Sequence, residues 1–341
     1  MELALFAPTH GLGQRDEHGW RVQSTPVSEL PILDLARQAE RLGFHSLWFG
    51  DKIAPPVLDA YPYDGTAELD VSVYPAHPTI LDGAVTMGAI AAVTERIRLA
   101  PAVNIAPYRG PLNDARQYAT LDRLSNGRLI LGVGAGWLAE EFAALGLSHE
   151  DRGAMTEECI EIYKRAWQDD VVSFHGRFYD FENISMDPKP VQKPYPPIIF
   201  GSTAKLGARR AARLCDGFFP EFMSAYPDLH RFAPHQDEIR REAERLGRDL
   251  SDFWMICCQT VHISDRPWSR PLKRFTCAGS ADQILEDLER FAAAGFGLIA
   301  CYFDCPSGTG AEMAEQLERF GTQVLPYAKA IQPAGEWKRD Y

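Results

Sequence analysis

Eight short runs of apolar and β-branched residues recur along the chain, and nearly every one is followed by a stretch with helical periodicity. The runs are Glu2 to Phe6, Phe44 to Phe49, Ile97 to Val103, Arg128 to Leu131, Pro197 to Phe200, Gly217 to Phe219, Trp254 to Ile263 and Gly297 to Phe303. Most are continuously apolar rather than alternating, as expected of parallel strands buried on both faces. Helical stripes lie between them: Leu30, Leu33, Leu35, Ala36, Ala39 and Leu42 before Gly43 in the first, then Thr79 to Thr94, Leu112 to Leu124, Cys159 to Trp167, Leu229 to Leu246, Ala281 to Ala294 and Ala311 to Ala330. An eightfold β/α alternation within 341 residues favours one closed (β/α)8 TIM barrel over an open doubly wound sheet.

Two stretches break the alternation. Ile53 to Pro78, after the second strand, is rich in proline and acids and carries Tyr61, Tyr63 and Tyr74. Segments of that length in a compact domain are usually lids or binding loops, so a lid-like insertion over an apolar substrate is expected there. Val171 to Phe181 alternates like a hairpin around His175-Gly176-Arg177 and precedes the fifth strand. Residues 1–330 are therefore read as the barrel and residues 331–341 as a polar tail. In a barrel the strand C-termini share one face. That face collects Pro8 to His10, Asp51 and Lys52, Asn104 to Arg109, Gly134 to Trp137, Gly201 to Thr203, Glu221 and Asp304.

Within this pattern Arg128 to Trp137, RLILGVGAGW, reads as a strand, a loop with glycines at 132, 134 and 136, and a helix start. Glycines at such a turn let the backbone approach a ligand, and the free N–H groups of a helix N-terminus favour an anion, usually a phosphate. The spacing differs from the dinucleotide fingerprint, and no P-loop Lys-Ser/Thr follows.

The formal net charge of −12 argues against nucleic acid or an anionic membrane surface as a partner. With 45% hydrophobic residues the chain has ample material for a large core, yet no apolar run approaches the roughly 18 residues of a membrane helix. The first residues, MELALFAPTHG, lack the features of a signal peptide, so a cytoplasmic address is expected. Seven cysteines, mostly inside apolar runs and without a CxxC pair, read as buried small hydrophobes; no metal set is expected.

Several blocks together resemble the luciferase-like flavin oxidoreductase superfamily, which takes in luciferase-like monooxygenases and F420-dependent oxidoreductases. They are ERLGFHSLWFGDK (Glu40 to Lys52), TERIRLAPAV (Thr94 to Val103), LDRLSNGRLILGVGAGWLAEEFAALG (Leu121 to Gly146), KPVQKPYPPIIFG (Lys189 to Gly201) and ARRAARLCDGFF (Ala208 to Phe219). The resemblance implies a flavin or deazaflavin at the C-terminal mouth. It implies that Gly134, Ala135, Gly136 and Trp137, with the second loop Gly201, Ser202 and Thr203, approach the phosphorylated tail. It also implies a cis peptide near Ala102 under the ring, and Asn104 counts among the cofactor-binding candidates. Many members carry an acid followed by His after the second strand, and here the pair is Asp51-Lys52. A Lys is a poor proton shuttle near neutrality unless burial lowers its pKa. Its expected role is a fixed charge held by the neighbouring Asp51, with His10 and His77 as the other catalytic candidates.

The activity implied first is a monooxygenase that takes reduced FMN (FMNH2) from a separate flavin reductase and oxygenates a small organic substrate with O2, the chain having no NAD(P)H fingerprint of its own. The alternative is a dehydrogenase or reductase using coenzyme F420. A non-catalytic flavin-binding protein is the third reading. The protein is expected to be a homo-oligomer.

Overall fold

The computed structural model describes residues 1–16, 19–23, 25–57, 75–220, 229–267 and 277–338. Tyr61, Tyr63 and Tyr74 of the expected lid, and Glu221 of the expected mouth, lie outside the described residues. Eight parallel strands form the barrel: β1 (Glu2–Phe6), β2 (Ser46–Phe49), β3 (Arg98–Pro101), β4 (Leu131–Gly134), β5 (Ile198–Gly201), β6 (Gly217–Phe219), β7 (Trp254–Ile263) and β8 (Leu298–Phe303). They are hydrogen-bonded in the order β3-β2-β1-β8-β7-β6-β5-β4, and Asn104–Ile105 adds a short further strand on β4. Leu99 closes the ring, its amide donating to the Arg128 carbonyl and its carbonyl accepting from Ile130, both at 2.9 Å. The (β/α)8 barrel is thus confirmed.

Alternation within each strand sorts the core into two layers. Ala4, Phe6, Trp48, Ala100, Ile130, Ile199, Trp254, Ile256, Cys258, Leu298, Ala300 and Tyr302 fill the lumen. Their neighbours Leu3, Leu5, Leu47, Leu99, Leu131, Ile198, Met255 and Ile299 face the surrounding helices. Those helices are α1 (Ile32–Leu42), α2 (Gly83–Ala91), α3 (Pro111–Leu124), α4 (Ala139–Ala144), α5 (Arg152–Gln168), α6 (Lys205–Leu214), α7 (Ala233–Leu246), α8 (Ala281–Ala293), α9 (Gly310–Gln323) and the short α10 (Leu325–Ala328). Helix α1 buries Ile32, Leu35, Ala36 and Ala39 and stops at Gly43 in the left-handed region, as its stripe and terminal glycine predict. Ser280 and Gln283 cap α8 reciprocally.

The chain departs from expectation at four places. Gly132 and Gly134 lie within β4 rather than in a loop after it, and the helix that follows is only Ala139–Ala144. Strand β3 stops at Pro101 rather than Val103 and pairing to β4 resumes at Asn104, while the cis peptide expected near Ala102 is present at Ala102–Val103. The polar stretch after Leu12 contains an antiparallel hairpin, Gly13–Asp16 with Gly19–Val22, beside the expected one at Val171–His175 and Asp180–Ser185. Within the stretch read as a polar tail, Trp337 is buried near Phe253 and Gly295, and the Lys338 amide donates to the Phe253 carbonyl. An apolar indole has more to gain from that contact than the flanking charges lose.

Arg128 shows what holds the β3 to β4 closure from below. Its buried guanidinium donates to the carbonyls of Ser125, Ile97, Ala91 and Thr94 and to the Thr94 hydroxyl at 2.7–3.1 Å, so it ties the ends of α2 and α3 to both strands. Among the described residues no helix is long and apolar enough to cross a membrane.

Candidate active site

A cavity of about 530 Å³ opens at the C-terminal mouth, within the size range of small-molecule sites. His10, Asp51, Lys52, Ala102, Gly134, Ala135, Gly136, Trp137, Gly201, Ser202 and Thr203 all line it. Two of the expected residues do not. Asn104 is fully buried beneath the wall, where its amide donates to Asp114 at 2.7 Å. His77 is exposed and outside the lining.

The wall above β2 differs from the Asp51–Lys52 pair foreseen. Asp51 turns to Arg109 in a bidentate ion pair, 2.7 Å on both arms, and accepts the Ile105 amide at 3.2 Å. Arg109 also reaches Asp82 and Asn104, and Asp114 accepts from Asn104 and from the Tyr163 hydroxyl. This buried network fixes the chain just past the cis peptide; burial dominates at Asp114 and pushes its carboxyl up to about 7. Burial opposes the Arg109 charge as well, but the Asp51 carboxylate outweighs it and holds the guanidinium protonated.

Lys52 instead faces Glu141 of α4 at 3.5 Å, with its ammonium 4.5 Å from the centre of the Trp137 ring. Burial lowers its pKa, and the Glu141 charge opposes that effect. His10 packs on the end of β2, where a side chain at Gly50 would overlap the imidazole. Burial first, and then the Lys52 charge, depresses His10 to about 3, so its ring is neutral at working pH and does not act as a cation.

A stability consequence follows for His10. Its value is about 3 in the fold against 6.5 ordinarily, so below pH 6.5 the unfolded chain takes up a proton that the fold refuses. Its contribution is whole above pH 6.5 and is lost as pH falls towards 3. Urea midpoints measured from pH 7 to 4 are expected to fall less steeply in His10→Asn than in the parent, and parallel slopes would contradict the assignment.

Another part of the cavity wall is built differently. Helices α5 and α6 begin there, placing Arg152 and Gly153 beside Ser202, Thr203 and Ala204, with Leu206 and Arg210 in the same wall. The Ser202 hydroxyl accepts the Ala204 amide at 3.1 Å, and the Thr203 carbonyl is 2.8 Å from His235 Nε2, so both neighbours brace the loop. Arg152 donates to the neutral His149 carbonyl, which leaves its charge uncompensated by that bond; Arg210 pairs with Glu157, and Glu150 adds a carboxylate to the rim. Two helix N-termini and the Arg152 guanidinium make this part of the wall suited to an anion. The short α4 adds little there.

Gly134 and Gly201 are small for another reason than ligand approach. A Cβ on Gly134 would lie 2.5 Å from Val103 Cγ2, and one on Gly201 would lie 2.6 Å from Val103 Cγ1. Both glycines make room for one valine. Gly136, at φ +78°, is the one of the three that needs a left-handed backbone.

Glu141, Arg152 and Arg210 were not among the candidate site residues, and Arg109 was placed only among the mouth loops. The partners of Glu141, Arg109 and Arg210 lie far off in sequence, and only the fold brings Arg152 to the cavity.

Known proteins share this fold. The profile of luciferase-like monooxygenases matches residues 1–268. The FMNH2-dependent dimethylsulfone monooxygenase of Pseudomonas putida is 37% identical over 162 residues, 47% of this chain but only 43% of that relative's length. A monooxygenase from Streptomyces bottropensis superposes with TM-score 0.73 at 20% identity, covering 96% of this chain and 99% of that one. An F420-dependent secondary alcohol dehydrogenase does so with TM-score 0.70 at 18% identity, covering 95% and 98%.

Proposed function

Because the chain belongs to the luciferase-like monooxygenase family, we propose that the cavity holds a flavin and that the protein is an FMN-dependent monooxygenase supplied with reduced FMN by a separate reductase. The observation that carries this reading is the mixed chemistry of the cavity lining. It combines Arg152, Arg210, Ser202, Thr203 and the starts of α5 and α6 with the apolar surfaces of Phe6, Ala102, Val103 and Phe219. A flat apolar ring system carrying a phosphorylated tail calls for both kinds of surface, so the residues fit the group. When bound, reduced flavin supplies the electrons for reaction with O2.

The chain's own residues do the rest. Arg152 and the Ser202–Thr203 loop bind the tail; Val103 and Ala102 support the ring; Trp137 and Phe219 shield it from water; Lys52 provides a fixed positive charge and neutral His10 a hydrogen-bonding ring beside it. The substrate is a small organic molecule.

Titration of the purified protein with FMN, riboflavin and F420, followed by turnover assays with and without O2, tests the reading. Arg152→Ala is expected to weaken FMN binding by roughly 10- to 100-fold, the worth of a charged hydrogen bond, while riboflavin, which has no phosphate, changes less than about twofold. Equal losses for both ligands would place the phosphate elsewhere. Preference for F420 with oxygen-independent turnover would replace the monooxygenase reading by a dehydrogenase.

A further inference from the structure

The carboxylate of Glu141 is fully buried and sits where four donors from two separate stretches of chain meet. One oxygen accepts the amides of Ile53 at 2.7 Å and Ala54 at 3.0 Å; the other accepts the Tyr108 hydroxyl at 3.0 Å and faces the Lys52 ammonium at 3.5 Å. Ile53 and Ala54 are the first residues of the chain leaving β2 beyond Lys52. Tyr108 stands between the short Asn104–Ile105 strand and α3, and its ring packs edge-on against Phe142, the neighbour of Glu141. Glu141, in α4, follows the cavity-lining Trp137 by four residues, so a single group connects the walls after β2, β3 and β4.

We propose that Glu141 is a positioning residue with two separable tasks: it anchors the root of the segment that leaves β2, and it keeps Lys52 charged and aimed into the cavity. The proposal rests on the reading of this cavity as the flavin site. The charged and titratable groups around Lys52 are Glu141 from α4, Asp51 from its own strand end and His10 from the loop after β1, with the Trp137 ring beneath it. Asp51 is engaged by both arms of Arg109, and His10 is neutral, so Glu141 is the carboxylate on which the Lys52 charge depends. A buried ion pair adds little net stability once both charges have lost their water, so a geometric task is the better account of this one.

Glu141→Gln separates the tasks. The glutamine oxygen still accepts the Ile53 and Ala54 amides, but the negative charge is gone. In this variant, amide hydrogen exchange across residues 52–57 is expected to stay near the parent's, while the Lys52 side chain, followed by NMR of its Nζ, titrates at least about one unit lower. The pH at which turnover begins to fall on the alkaline side is expected to move down with it. Glu141→Ala removes both tasks and is expected to speed exchange at Ile53 and Ala54 about tenfold or more. Glu141→Asp, which keeps the charge, should restore the Lys52 titration if the glutamine form folds poorly. An unchanged Lys52 titration in Glu141→Gln, or unchanged exchange in Glu141→Ala, overturns the proposal. Failure of the parent protein to bind FMN overturns the flavin reading instead, and the NMR and exchange measurements still decide the role of Glu141.

Discussion

Gly132→Ala is expected to cost about 3 kcal/mol or more, a large share of the roughly 5–15 kcal/mol that holds an ordinary domain folded. A methyl group there would overlap the Pro101 carbonyl oxygen, which belongs to backbone and has no rotamer to escape into. The site also lies at the seam, between the Leu99 bonds that close the ring and the point where Asn104 rejoins β4. Relief would require the two strands to separate. Gly88→Ala is the matched control: nothing lies within 4 Å of the new methyl, and the position is helical, so the same chemical change is expected to stabilise by up to about 1 kcal/mol. Urea unfolding of the two variants should therefore move in opposite directions, and similar shifts would mean that the seam yields more easily than its packing implies.

The second large effect is expected in catalysis. Lys52→Met keeps the apolar stem against Trp137 and removes only the charge. Turnover is expected to fall by about 10²- to 10³-fold, the usual loss when one preorganised electrostatic group leaves a water-poor site. FMN affinity should change less than about threefold, because the phosphate end is bound by other residues. The single variant also strands the Glu141 carboxylate without its cation, at a cost of about 3–5 kcal/mol in stability. Pairing it with Glu141→Gln separates the two losses: melting temperature is expected to recover while turnover does not. Recovery of both, or full turnover in Lys52→Met, would show that the ammonium serves only the ion pair.

Much of this was legible along the chain because the determining interactions are local or periodic. Continuous apolar runs marked the strands, the stripe from Leu35 to Ala39 marked the buried face of α1, and Gly43 marked its end. Lumen and outer layer followed from alternation once a barrel was assumed, as Ala4 and Phe6 against Leu3 and Leu5 show. What escaped was set by contacts distant in sequence. Gly132 reads as a loop glycine until Pro101, thirty-one residues earlier, is seen to occupy the space beside it. Glu141 sits in an acidic Glu140-Glu141 pair that reads as a solvated helix face, yet its partners are Lys52, Ile53, Ala54 and Tyr108. Arg152 likewise reads as an ordinary first-turn charge. Its position at the cavity depends on where α5 starts relative to β5 and β6.

Val103 fills two notches at once, one methyl toward Gly134 and the other toward Gly201. These positions sit on neighbouring strands, β4 and β5, paired at that same level of the ladder. A side chain at either glycine is therefore conditional on the state of residue 103, and the order of substitutions matters. Val103→Ala removes both methyls, after which Gly134→Ala or Gly201→Ala meets contacts of ordinary van der Waals length, the nearest at 3.4 Å; taken first, either glycine change meets a clash. Three sites separated by almost a hundred residues then form one epistatic unit, and any lineage or engineered library that reshapes this wall is channelled through the shortening of a single valine.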